Sequence, residues 1–152
     1  MVSFYFHFEA DFVDSLRCIP MVVRYKLDIC GVKLKLAHWH QFSQAERLTL
    51  VELPCQTEEE VALYRQSLQD LVKLHTGQWP TDLSSDQPPA WRSLSQIPRD
   101  VEEQCQRLGI NLSLQQWADL GDLQRFVLIK LSQSRHENSN FLPACREFGL
   151  VN

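Results

Sequence analysis

A chain that says the same thing twice must fold into something that accommodates both copies, and this one repeats itself at an offset of 78 residues. With no gap, Ser15, Leu16, Ile19, Pro20, Val23, Gly31, Leu34, Leu36, Trp39, Arg47, Leu50 and Leu53 fall on Ser93, Leu94, Ile97, Pro98, Val101, Gly109, Leu112, Leu114, Trp117, Arg125, Leu128 and Leu131. These are 12 identities in 39 positions, and Val32/Ile110, Phe42/Leu120, Leu48/Phe126 and Val51/Ile129 add conservative matches. Spacing kept over so long a run reads as an internal duplication, with repeat halves 15–53 and 93–131.

The halves set the element pattern. Ile19-Pro20 and Ile97-Pro98 start a helix in each copy, proline suiting the first helical position, and Gly31 and Gly109 stop it with left-handed caps. Ser113 and Gln116 spell a capping box in the second copy, with Leu112 and Trp117 as a staple; the first copy keeps Leu34 and Trp39 but has Lys35, which offers no acceptor, at the cap. Ser43 to Glu46 is another capping box, opening a helix over residues 44–53. Each repeat is thus about three short helices. Thr57 to Glu60 begins a long amphipathic helix over 57–76 carrying Val61, Tyr64, Leu68, Leu71, Val72 and His75, and Gly77 ends it. Residues 77–90, rich in Pro, Ser and Asp, read as the linker between copies. Ahead of the first copy, residues 4–8 alternate as an extended aromatic arm, and 9–16 read as a short helix with Phe8, Phe12 and Leu16 on one face. Residues 132–140 read as polar loop and 141–148 as a last helix. No segment reads as a sheet, so the expected fold is all-α, and 152 residues suit a single domain, 1–152, whose halves share one core.

Totals exclude more than they assign. A net charge of −4 gives no electrostatic case for nucleic acid, and no apolar run is long enough to span a membrane. Residues 1–8 lack the pattern of an export signal, and five cysteines with no C-x-x-C pair read as reduced thiols, so a cytoplasmic location is expected. There is no glycine-rich phosphate loop, no G-x-S-x-G and no H-E-x-x-H, and His38 and His40 are spaced to face different ways on a helix. No enzyme, no cofactor and no metal site is read from these motifs.

Features kept in both copies belong to the shared fold, and Trp39 with Arg47, like Trp117 with Arg125, suits cation–π stacking. What distinguishes the copies is the first helix. Ile19, Val23, Leu27 and Cys30 form its core face, matched by Ile97, Val101, Cys105 and Leu108. Its other face carries Met21, Val22, Tyr25 and Ile29, where the second copy has Arg99, Asp100, Glu103 and Arg107. A helix apolar nearly all round needs cover on both sides, from the Phe4–Phe12 arm or from another protein. Around it Arg17, Arg24, Lys26, Lys33 and Lys35 stand against Asp28 alone, a local basic surface suited to an acidic partner or anionic ligand.

The run FEADFVDSLRCIPMVVRYKLDICGVKLKL, followed by Trp39-x-x-Phe42, Arg47, Leu53-Pro54-Cys55 and the EEEVALYRQSL helix, resembles the nitrate reductase-associated protein family of cyanobacteria. The resemblance is strong from residue 4 to about 75, most specific over Ser15–Asp28 with the preceding Phe-Glu-x-Asp-Phe, and weak in the second half. It implies a small cytoplasmic protein required for the activity of an assimilatory, ferredoxin-linked nitrate reductase with molybdopterin and Fe-S centres. The role implied is that of a subunit or a maturation factor, and no catalytic residues come with it. Its strongest matches, Glu9, Asp11, Arg17, Cys18, Arg24, Lys26 and Asp28, coincide with the positions that distinguish the first copy. With Met21, Val22, Tyr25 and Ile29 they are the candidate partner-binding residues. The rival reading is a metal- or cofactor-handling protein in which Cys18, Cys30 or Cys55 supplies thiolates; a small enzyme is a third.

Overall fold

The computed structural model describes residues 4–13, 15–83, 88–135 and 137–151, apart from the side chains of Asp11 and Phe12. The expected placement of Phe12 beside Phe8 and Leu16, and residues 84–87 of the linker, therefore lie outside the described residues. Regular structure is almost all helical, as expected of an all-α chain, and no described helix is long and apolar enough to cross a membrane. The described residues group into two compact units, one of 4–5 and 9–83 and the other of 6–8 and 88–151.

The first unit holds α1 (Ala10–Val13), α2 (Met21–Cys30), β1 (Val32–Lys33), α3 (Leu36–Gln41), α4 (Gln44–Glu52), α5 (Glu58–Thr76) and β2 (Thr81–Asp82). Pro20 is the N-cap of α2 rather than its first helical residue: its ψ of 154° is extended, and its carbonyl accepts from the Val23 and Arg24 amides. Gly31 closes α2 at φ 73°, a conformation open to glycine without a Cβ penalty. Ser43 with Glu46 forms the expected capping box of α4, and Thr57 with Glu60 forms another at the start of α5. At α3 only half a box exists: His38 Nδ1 accepts from the Lys35 amide at 3.4 Å, while a lysine ammonium has no lone pair to return. Trp39, Leu50, Tyr64, Leu68, Met21 and Val23 are fully buried.

The reading of no sheet meets a short exception inside the stretch read as linker: Thr81 and Asp82 pair antiparallel with Lys33 and Val32, and the Leu83 amide donates to Gly31 O at 2.9 Å. Two residues per strand leave no period-2 pattern to read.

The second unit holds α6 (Arg99–Leu108), α7 (Leu114–Asp119), α8 (Asp122–Gln133) and α9 (Phe141–Glu147), with 3₁₀ turns at Ala90–Arg92 and Asn138–Asn140. The bounds of α6 and α7 fall 78 residues after those of α2 and α3. Gly109 repeats the left-handed cap at φ 71°, and Ser113 with Gln116 repeats the box. Trp117, Phe126, Leu128, Leu131 and Phe141 fill this core. His7–Glu9 is a 3₁₀ turn, which shortens the extended arm expected over 4–8. Phe6 and Phe8 still stack at 5.4 Å, and Phe6 meets Phe148 edge-on at 5.5 Å.

A tryptophan and an arginine clamp each unit. Trp39 Nε1 donates to Leu16 O at 2.7 Å, and Arg47 donates to the carbonyls of Leu16, Trp39 and His40 at 3.0–3.1 Å, its guanidinium lying over the Trp39 ring. Leu16 has φ 55°, which costs a non-glycine residue about 1–2 kcal/mol. Two donors on its carbonyl, the indole contributing about 1 kcal/mol and the charged guanidinium about 2 kcal/mol, offset that strain. In the second unit Trp117 Nε1 donates to Ser93 O, and the buried Arg125 donates to Trp91 O at 2.7 Å, to Leu120 O and to the Asp122 carboxylate.

Glu46 joins the α4 cap to α5. Its Oε1 accepts from the Ser43 amide at 2.7 Å and lies 2.8 Å from His75 Nε2. The Ser43 amide holds the carboxyl below its ordinary pKa of 4.5, partial burial opposes this, and His75 adds to it. A depressed folded pKa means that the folded state binds fewer protons than the unfolded one, so the stabilisation is complete above 4.5 and is lost as pH falls through the folded value. Glu46→Gln keeps an acceptor for the Ser43 amide and loses the charge, so it should cost about 0.5 kcal/mol in urea denaturation at neutral pH. That gap to wild type should narrow between about pH 5 and pH 3; a gap constant over that range would contradict the assignment.

Candidate functional site

Proline at the start of α2 provides no side-chain cap, and the chain meets that need from outside the helix. Glu9, fully buried, accepts a hydrogen bond from the Met21 amide on its Oε2 at 3.1 Å. A carboxylate at a helix N-terminus answers both an unpaired amide and the positive end of the helix dipole. Glu9 thus sets the segment before α1 against the start of α2.

Lys26, in the middle of α2, turns inward. Its Nζ donates to Val51 O at 2.7 Å and to Leu53 O at 2.6 Å, and it lies 5.6 Å from the centre of the Tyr64 ring. These are carbonyls at the C-terminal end of α4, and the Tyr64 hydroxyl donates to a third, Leu50 O, at 2.7 Å. An ammonium there meets orphan carbonyls and the negative end of the dipole together. Burial lowers the Lys26 pKa, with nearby Cys55 acting in the opposite direction. Arg65 of α5, which no spacing in the sequence marks out, does the same for α2: its Nη1 donates to Cys30 O and Gly31 O, and its Nη2 pairs with Asp82 at 2.5 Å.

The candidate residues therefore divide. Glu9, Met21, Val22 and Lys26 are buried. Met21 and Val22 on the outer face of α2 are covered by the folded chain, so that face needs no partner at its start. Arg17 is exposed, and Cys18, Arg24, Tyr25, Asp28 and Ile29 are half-buried. Arg24 Nε donates to Ile19 O at 3.0 Å, and the Arg17 carbonyl lies 3.0 Å from His40 Nε2. The Asp11 side chain lies outside the described residues. Of the five cations that make the sequence basic here, Lys26 is interior, Arg24 is half-buried, and Arg17, Lys33 and Lys35 are exposed.

Four of the cysteines are poor thiolates. Cys30, Cys55, Cys105 and Cys145 are buried. Burial pushes Cys30 and Cys105 up to about 11 and Cys145 up to about 12, and raises Cys55. Metal binding and nucleophilic attack both need the deprotonated form, which these sites disfavour. Among the described residues, no group of three or more His, Cys, Asp or Glu converges where it could hold a metal ion. Cys18 alone is half-buried.

The chain matches the family of conserved nitrate reductase-associated proteins over residues 5–148 and belongs to it. No curated protein and no solved structure matches it.

Thiol labelling under native conditions separates the cysteines. With a thiol-disulfide reagent at about pH 8, one equivalent should react quickly, Cys18→Ser should abolish that phase, and the other four should react only on unfolding. Rapid reaction of Cys30 or Cys55 in the folded protein would contradict their burial.

Proposed function

We propose that this protein is a non-catalytic accessory factor of an assimilatory, molybdenum-dependent and ferredoxin-linked nitrate reductase, acting by binding its catalytic subunit, as a stable subunit or as a maturation factor. The observation that carries this reading is membership of the nitrate reductase-associated family over residues 5–148. The chemistry of the first unit supports it. The charged groups closest to what an active site would need, Glu9 and Lys26, are engaged with backbone groups at helix ends, and four of the five thiols sit where burial disfavours the thiolate. Both observations weigh against the rival reading of a thiolate-based metal or cofactor carrier.

The proposed contact surface is what α2 and its approach leave accessible: Arg17, Cys18, Arg24, Tyr25, Asp28 and Ile29, with Lys33 and Lys35 beside them. Exposed cations flanking a partly apolar patch suit an acidic, partly apolar surface on the reductase.

Co-expression of the reductase with and without this protein tests the reading, with activity, molybdenum content and complex size measured together. Activity should fall at least several-fold when the protein is omitted. Low molybdenum in that sample identifies a maturation factor, and full molybdenum with low activity identifies a subunit. Equal activity in the two samples, with no complex formed, would remove the proposal.

A further inference from the structure

The first unit has an apolar groove that the sequence did not mark. It lies between α4 and α5, has a volume of about 280 Å³, and is lined by Leu50, Leu71 and Leu74 with Glu46 and Asp70 bordering it. That volume is below the usual range for a drug-sized ligand, about 300–1,000 Å³, and suits one or two side chains inserted from a larger partner. Leu74 is 73% exposed, and Leu63, three turns away on the same face of α5, is 60% exposed, with Ser67 and Asp70 on that face between them. Leu48 of α4 is exposed as well. Isolated exposed leucines are ordinary, but Leu50, Leu71 and Leu74 meeting in one groove between two helices form apolar walls suited to side chains of a docked helix.

Charge selects the occupant. Glu59 and Asp70 are exposed on the same face of α5, Asp70 accepting from Gln66 Nε2 at 2.8 Å, and Glu46, held by the Ser43 amide and beside His75, borders the groove. Lys73 of α5 is engaged with Gly77 O at 2.8 Å and with the Trp79 ring. No lysine or arginine lines the groove. An acidic border around apolar walls is complementary to a segment that carries leucine-sized side chains flanked by cations.

We propose that the groove between α4 and α5 docks an amphipathic helix of the reductase, with leucine-sized side chains on its buried face and Lys or Arg at its edges. This rests on the accessory reading above and adds a second contact, separate from α2.

Two probes test it with the full-length protein: the purified reductase, and a 14-residue Leu/Lys amphipathic helical peptide followed by fluorescence anisotropy. The variants are Leu74→Glu and Asp70→Lys, both at exposed positions, with thermal melting as the folding control. The expected result is that both probes bind wild type and that each variant weakens both by about tenfold or more, with melting unchanged. Reductase binding unchanged in both variants would overturn the groove as the reductase's docking site while leaving the accessory reading intact. Peptide binding that responds to the variants, with no reductase binding to wild type, would keep the groove and remove the accessory reading. Failure of the peptide to bind, or equal binding to wild type and variants, would overturn the proposal. So would self-association of wild type that Leu74→Glu abolishes, since the occupant would then be a second copy.

Discussion

The first unit depends on an ammonium buried at the wrong end of someone else's helix. Lys26 belongs to α2, yet it satisfies Val51 and Leu53 at the end of α4, 25 and 27 residues away. Desolvating a lysine is costly, and it is tolerated only where the charge meets a full set of acceptors. Two carbonyls, the negative end of a helix dipole and the face of Tyr64 supply that set. The arrangement draws in α5 as well, because Tyr64 completes the α4 terminus and Arg65, its neighbour, completes the α2 terminus. Helix ends that would otherwise stay unpaired thus become the joints of the unit.

The Trp–Arg clamp shows how one device is adjusted to two contexts. In both units an indole N–H and a guanidinium gather carbonyls of the segment that leads into α2 or α6. In the first unit they converge on Leu16, held left-handed. In the second they separate, Trp117 to Ser93 and Arg125 to Trp91, and Ser93 keeps an ordinary φ of −75°. The identities at Trp39 and Arg47 report the clamp, but not where its carbonyls lie.

How far the fold was legible follows from the range of the interactions. Caps are local, and Pro20, Gly31, Ser43, Thr57, Gly109 and Ser113 each marked a helix end within a residue. The pairing of 32–33 with 81–82 and the role of Arg65 were not legible, since both join segments tens of residues apart with no periodic signal. At the candidate site the sequence marked the positions that set α2 apart from α6, and the structure divides them between interior and surface. Charge alone, however, assigned Lys26 to the surface, and the family-like Glu9 carried no sign that it would serve as a helix cap. A residue that distinguishes one copy from the other reports a difference in burden, and a structural burden looks the same in sequence as a functional one.

Glu9 and Lys26 thus work for the fold, and the groups that remain exposed around α2 and along α5 are the ones proposed to meet the reductase. The most direct test is Lys26→Met, measured for unfolding free energy and, on the folded protein, for affinity to the reductase. Unpairing the α4 carbonyls should lower stability by about 2 kcal/mol and leave affinity unchanged. Unchanged stability with lost affinity would return Lys26 to the partner surface and contradict the structural role assigned to it.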